Sequence, residues 1–350
     1  MKTNQLILAA VALSALAACQ KENVDTNVVL ASDEIGFRAV ASMSTKANDA
    51  IITGTTYGTD NTFQVWGWQS PAADFSEFAT DDASNFMSNL TISWTGGRDS
   101  RAEAWRNAAN YYYWPFTGKI SFLAVHPSTV APSTTGWDAT SKKPKATVAD
   151  YTISDANKTV DLMFANNEGA RRSDALPMVF KHALSQIQFR VRTNDDYSAD
   201  ATFKVNSVTI NNVDLSGDLA YAADAFTWSD NAAQTENWPY YATTATVAYA
   251  ATDAAAALYG DANVMIPQAA YADDPATVGV LEGTTLTINY TLEQTGSAAI
   301  TGDVTVPAGQ EWLAGKKYIY TLNFKLNEIT FAPEVTDWVD VEIATINILD

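Results

Sequence analysis

One cysteine and two histidines are the whole supply of soft or imidazole ligands in this chain, so its chemistry is narrowed before any fold is considered. Cys19 follows Leu16-Ala17-Ala18, and ahead of it Lys2 precedes an apolar run from Leu6 to Ala17. That run is shorter than the ~20 residues that span a bilayer, and it matches the apolar region of an export signal. Leu16-Ala17-Ala18-Cys19 resembles a bacterial lipobox, where cleavage before the cysteine leaves an N-terminus carrying lipid on its thiol and amine; the alternative is a chance Cys near an ordinary signal-peptidase site. Any His-dependent triad or His metal site would have to use His126 or His182. His126 precedes Pro127 after a strand and His182 precedes an alternating strand, so both are read as structural residues at strand ends. The acid pairs Asp81-Asp82, Asp195-Asp196 and Asp273-Asp274 sit in turn-like contexts, whereas glycoside hydrolysis needs two carboxyls converging from separate elements. The sequence contains no calcium-loop, phosphate-loop or nucleophile-elbow motif. No enzymatic activity, cofactor or metal is expected.

Composition excludes further classes. With 21 Lys+Arg against 40 Asp+Glu, the formal net charge is −19, a balance that repels a phosphate backbone; nucleic acid is not an expected partner. Disorder is excluded by a 47% hydrophobic content that includes 10 Trp, 15 Tyr and 14 Phe. Once Cys19 is lipidated no thiol is left for an internal disulfide, so packing must hold the chain together. The length, 350 residues, suits about two domains. After residue 19 no apolar stretch approaches the ~20 residues of a membrane span, which leaves the lipid as the membrane attachment. Gln20-Lys21-Glu22 resembles the short signal that directs some lipoproteins to the outer face of the outer membrane.

The elements that would carry such a protein are strands. Apolar residues alternate at Ile187, Phe189 and Val191, at Leu286, Ile288, Tyr290 and Leu292, and from Tyr318 through Leu326. A period of two puts one side-chain set on each face of a strand. Further strands are expected at 63–68, 92–94, 119–125, 159–164, 202–210, 263–266 and 339–343. Turns are expected at Gly96-Gly97, Pro132, Asn166-Asn167, Asn194-Asp195-Asp196, Gly217-Asp218 and Gly296-Ser297. Ala254 to Tyr259, capped by Thr252-Asp253 and ended by Gly260, reads either as a short helix or as a low-complexity loop decorating an all-β fold. Loop composition from Asn166 to Pro177 places a domain boundary near residue 180, with two seven-stranded antiparallel sandwiches on its two sides.

Several segments in order resemble the fimbrillin family of type V pilins: DEIGFRAVASMSTKA (33–47), YWPFTGKISFLAVHP (113–127), DLMFA (161–165), FKHALSQIQFRV (180–191), VMIPQ (264–268) and residues 317–338. The resemblance implies two tandem transthyretin-like β-sandwiches behind a lipoprotein signal peptide, transport to the outer membrane, trimming by a trypsin-like protease, and polymerisation with other pilin subunits by strand exchange. It divides the chain into a signal peptide (1–18), a lipidated N-terminal segment with the first strand (19–46), an N-terminal sandwich (47–179) and a C-terminal sandwich (180–350). Adhesion to a host or bacterial surface receptor is the implied role, on a cell-surface fimbrium.

The residues allow that implication to be stated in detail. Ile35, Phe37, Ala39, Ala41 and Met43 alternate with Gly36, Arg38, Val40 and Ser42, as a strand laid into the first sandwich would. Lys46-Ala47 follows, where the family pattern has a basic residue before Ala as its processing site and Arg is the familiar one. Either a broad trypsin-like enzyme cuts after Lys46, or the cut falls at Arg38; the alternative to both is an uncut edge strand. A C-terminal tail with Val339, Val341, Ile343, Ile346 and Ile348 either donates a strand to another subunit or pairs within its own sandwich. The competing function is a surface glycan-binding lipoprotein that stacks sugar rings on exposed Trp and Tyr; Trp66, Trp68, Trp114, Trp228, Trp238 and Trp312 are read mainly as core.

Overall fold

Alternation of apolar and polar residues produces strands nearly everywhere the structure, a computed structural model, describes the chain: residues 33–41, 57–96, 103–230, 236–268 and 283–325, and the backbone of 328–337. The N-terminal strands are β1 (Phe37–Ala41), β2 (Phe63–Ser70), β3 (Met87–Thr95), β4 (Ala104–Asn107), β5 (Lys119–His126), β6 (Thr134–Asp138), β7 (Lys143–Thr152), β8 (Met163–Gly169) and β9 (Leu176–His182). They are followed by β10 (Ser185–Thr193), β11 (Ala201–Val213), β12 (Ser216–Ala222), β13 (Ala225–Asp230), β14 (Glu236–Tyr241), β15 (Ala245–Val247) and β16 (Ala257–Met265). The last are β17 (Thr285–Gln294), β18 (Ile300–Pro307), β19 (Lys316–Lys325) and β20 (Glu328–Asp337). Among the described residues there is no α-helix, and the fold is all-β as expected.

The seven strands β1-β4-β3-β2-β5-β8-β9 close on themselves as a barrel, where separate facing sheets had been expected. Closure depends on β1, which pairs in parallel with β9 and antiparallel with β4. Beyond the barrel, β16-β10-β19-β20 and β14-β11-β17-β18 form two sheets that meet through rings such as Phe203 on β11 and Phe324 on β19, 5.7 Å apart. A further sheet, β13-β12-β7-β6, takes β6 and β7 from before residue 180 and β12 and β13 from after it. One apolar cluster runs without a break from Trp68 and Trp137 to Phe189 and Phe324.

Four local expectations are corrected. The candidate helix over Ala254–Tyr259 is a 3-10 turn at Asp253–Ala255, capped by the Thr252 hydroxyl, that gives way to β16 at Ala257. Helix propensity of a few alanines is worth tenths of a kcal/mol each, and it yields to the ladder that β16 forms with β10, which buries Tyr259. Gly260 is then no helix cap: at φ 73° it sits inside the strand, with the Tyr241 ring where a Cβ would be. Asn166 and Asn167 lie within β8 opposite Leu123 and Phe122, and the Asn amide groups bond to the Tyr221 hydroxyl and the Pro177 carbonyl. The strand expected at 159–164 accordingly begins later, at Met163. Gly217-Asp218 lies inside β12, where a Gly217 Cβ would stand 2.9 Å from the Ser229 carbonyl. The reversal comes at Ala223-Asp224, both at positive φ, as a tight hairpin requires.

Candidate functional site at the strand closing the barrel

The five residues of β1, FRAVA, fill the last gap in the barrel wall. Phe37, Ala39 and Ala41 are buried while Arg38 and Val40 are half-buried, which is the alternation read from the sequence. Phe37 is the main anchor: 1% exposed, it meets Phe63 of β2 and Phe122 of β5 edge to face, at 6.1 and 5.2 Å. Ile35, just before the strand, is buried in the same cluster. Burying such side chains stabilises by roughly 1.5–3 kcal/mol each, so the inner face of β1 is held strongly although the strand is short.

Among the described residues the two edges of β1 are held unequally. Along β9 the ladder runs the whole strand, from Phe37 opposite Leu176 to Ala41 opposite Phe180, and the Leu176 N–H donates to the Gly36 carbonyl at 2.8 Å. Towards β4 the register meets at Phe37 opposite Trp105.

Upstream of β1, residues Asp33 to Ile35 are fixed by the Tyr111–Trp114 segment. The Ile35 N–H donates to the Tyr112 carbonyl at 2.7 Å, and the Trp114 N–H donates to the Asp33 carbonyl at 2.8 Å. Trp114 is itself seated over Gly169, where an added Cβ would lie 2.6 Å from the indole ring. Asp33 pairs with Arg171, which holds the Asp33 carboxyl below its ordinary range, and Arg171 also lies over the Phe116 ring at 5.1 Å. Glu34 is buried, its Oε2 3.6 Å from Nε of Arg106 on β4, with both side chains 1% exposed.

Polar groups at the far end of β1 belong to the barrel, not to a catalytic set. Tyr57 stacks on Phe180 at 5.0 Å, and its hydroxyl lies 2.7 Å from His126 Nδ1. His182 Nδ1 lies 2.6 Å from Asp161 Oδ2, both buried. Burial pushes the His126 pKa below the ordinary His value, against the upward pull of Asp161 and the Thr62 carbonyl. Both histidines are buried at strand ends, as read from the sequence. Asp81, Asp82, Asp195 and Asp196 are exposed or half-exposed turn residues.

Of the residues singled out from the sequence, Ile35, Phe37, Ala39 and Ala41 share one buried face, and Arg38 sits between them in the ladder opposite Pro177. Cys19, Met43, Lys46, Ala47 and the tail residues Val339, Val341, Ile343, Ile346 and Ile348 lie outside the described residues. Among the described tryptophans, Trp66, Trp68, Trp105, Trp114, Trp137, Trp238 and Trp312 are buried and Trp94 and Trp228 half-buried, so they form no exposed row for sugar stacking. The pairs Glu34–Arg106 and Tyr57–His126 escaped the sequence reading, because nothing in local spacing joins residues 72 or 69 positions apart.

A family profile described as fimbrillin-like matches residues 44–338. The chain belongs to the fimbrillin-like family. It is similar to the crystal structure of a fimbrial protein from Bacteroides vulgatus, with TM-score 0.61 and 18% identity over 87% of this chain and 99% of that one. It is also similar to a candidate cell adhesion protein from Bacteroides ovatus, with TM-score 0.50 and 15% identity over 89% of this chain and 99% of that one. At these identities the likeness shows the fold. No curated protein matches the chain. Family membership groups this fimbrillin-like protein with fimbrial subunits, a structural rather than an enzymatic group.

Proposed function

We propose that the protein is a structural subunit of a type V pilus, exported behind residues 1–18, lipidated at Cys19, trimmed after Lys46 and polymerised by exchange of β1 for a strand of another subunit. Residues 19–46 are the removable segment, and 47–179 and 180–350 are the two units of the mature subunit. One observation carries the reading. β1 lies wholly upstream of Lys46 yet closes a barrel built from residues downstream of it, so a cut after Lys46 severs the closing strand from its own domain. The severed strand is then held only by packing and ladder bonds, which an incoming strand can match one for one.

Backbone pairing bears on the alternative cut. Arg38 has its backbone in the ladder with β9, and a protease needs an extended, unpaired segment in its cleft, so Arg38 is a poor substrate in the folded precursor. The outer membrane is the partner of the lipid at Cys19, other pilin subunits are the partners of the barrel and the tail, and a surface receptor is the partner of the finished fimbrium.

The test is a Lys46→Ala, Arg38→Ala double variant. It is expected to accumulate as an untrimmed precursor and to give no SDS-resistant ladder of subunits. Normal ladders from that variant would exclude processing as the trigger of assembly.

A further inference from the structure

Cutting after Lys46 removes more than apolar side chains. Glu34 leaves with β1, and its carboxylate is an ionic partner of Arg106, which stays behind in β4. Arg106 is 1% exposed, its Nη1 donates to the Thr95 hydroxyl at 3.2 Å, and its guanidinium cannot shed its charge by deprotonation. Taking the carboxylate away from a buried cation is among the costliest single losses a fold can suffer, whereas supplying another carboxylate restores the pair. The groove that β1 vacates is therefore polarised: apolar pockets for Ile35 and Phe37, and next to them a fixed positive charge.

We propose that Arg106 selects the incoming strand by requiring an acid one residue ahead of the first apolar anchor, and that Asp340 of a second copy of this chain supplies it. This rests on the strand-exchange reading above. The order to be matched is Glu34-Ile35-Gly36-Phe37, an acid, an apolar residue, a spacer and an apolar residue. In the tail, Asp340-Val341-Glu342-Ile343 repeats it in the same direction. Starting at Glu342 instead would put Thr345 in the Phe37 pocket, and starting at Asp337 would put Asp340 there. In the reverse direction, Glu342-Val341-Asp340-Val339 fits the first four places but then brings Asp337 to the buried site of Ala39. Asp340 leading, parallel to β9 as β1 is, is the register that puts apolar residues in both the Ile35 and the Phe37 places and no acid at the buried site of Ala39. A one-residue bulge after Ile343 would then bring Ile346 and Ile348 to the places of Ala39 and Ala41.

Charge reversal in the full-length protein tests this, read as SDS-resistant ladders from sheared cells and as the melting temperature of the precursor. E34K with R106E keeps a reversed pair in the precursor but sets two acids together on assembly, and at least a tenfold loss of ladder, the ratio of about 1.4 kcal/mol, is expected. Adding D340K to that variant should return the ladder, and D340K on the otherwise native chain should abolish it. D340N alone, which leaves the barrel untouched, should weaken the ladder and so keeps the test valid if the reversed pair melts early. Native-strength ladders from E34K/R106E or from D340N would overturn the charge requirement while strand exchange stands, and so would failure of D340K to rescue a variant that folds. Absence of ladders from the native protein would overturn strand exchange itself, and this inference with it.

Discussion

Two strands of this molecule are built into parallel pairs, β1 beside β9 and β19 beside β10, and they are held very differently. Each presents a buried apolar face with an aromatic anchor, Phe37 in β1 and Tyr320 in β19. β19, however, is paired along its length on both edges, with β10 from Lys317 to Phe324 and with β20 from Lys316 to Lys325. β1 is paired along β9 but meets β4 at Phe37 opposite Trp105. Both strands bury an aromatic anchor, and among the described residues their backbones are committed unequally. A strand laddered on both edges leaves only with its sheet, while a strand laddered on one edge can be replaced progressively from the other.

The comparison breaks if anchor substitutions in the two strands behave alike. Tyr320→Ala removes a fully buried ring that stacks on Phe189 at 5.4 Å, whose hydroxyl accepts from Trp312 Nε1 at 2.9 Å. It should lower stability by about 3–5 kcal/mol, measured by urea unfolding, and weaken precursor and assembled subunit alike. Phe37→Ala should also cost the precursor about 3 kcal/mol or more, but leave the heat and SDS resistance of filaments unchanged, because in the proposed exchange β1 has no place in them. Loss of filament resistance in Phe37→Ala would mean that β1 stays in the barrel.

A smaller effect sharpens the comparison. His126 lies beside Tyr57 at the end of the barrel that β1 closes, within the electrostatic reach of Asp161 and His182. Its pKa is depressed in the folded protein, so the unfolded chain takes up a proton near the ordinary His value of about 6.5 while the folded chain resists it. Stability is therefore full above that pH and falls as pH drops through it, by at most about 1.4 kcal/mol per unit. His126→Asn should flatten the slope between about pH 7 and 5, read by urea unfolding at each pH.

Much of this was legible in the sequence, for a physical reason. Period-two alternation is a local signal, so the strands at 63–68, 119–125, 186–192 and 286–292 and the buried face of Ile35 to Ala41 could be read directly. Pairing was not legible. The barrel closure by β1, the sheet that joins β7 to β12, and the buried Glu34–Arg106 pair all depend on residues far apart in the chain. Gly217 and the Asn166-Asn167 pair misled because a glycine admitting a close strand, or an amide bridging two strands, has the same letter as a turn residue.

The central claim is that β1 is a placeholder removed on assembly. The N-terminal sequence of the subunit in sheared, SDS-resistant filaments tests it most directly. A sequence beginning at Ala47, with no lipid, is the predicted result; filaments whose subunits begin at lipidated Cys19 and still carry Ile35 to Ala41 would contradict it.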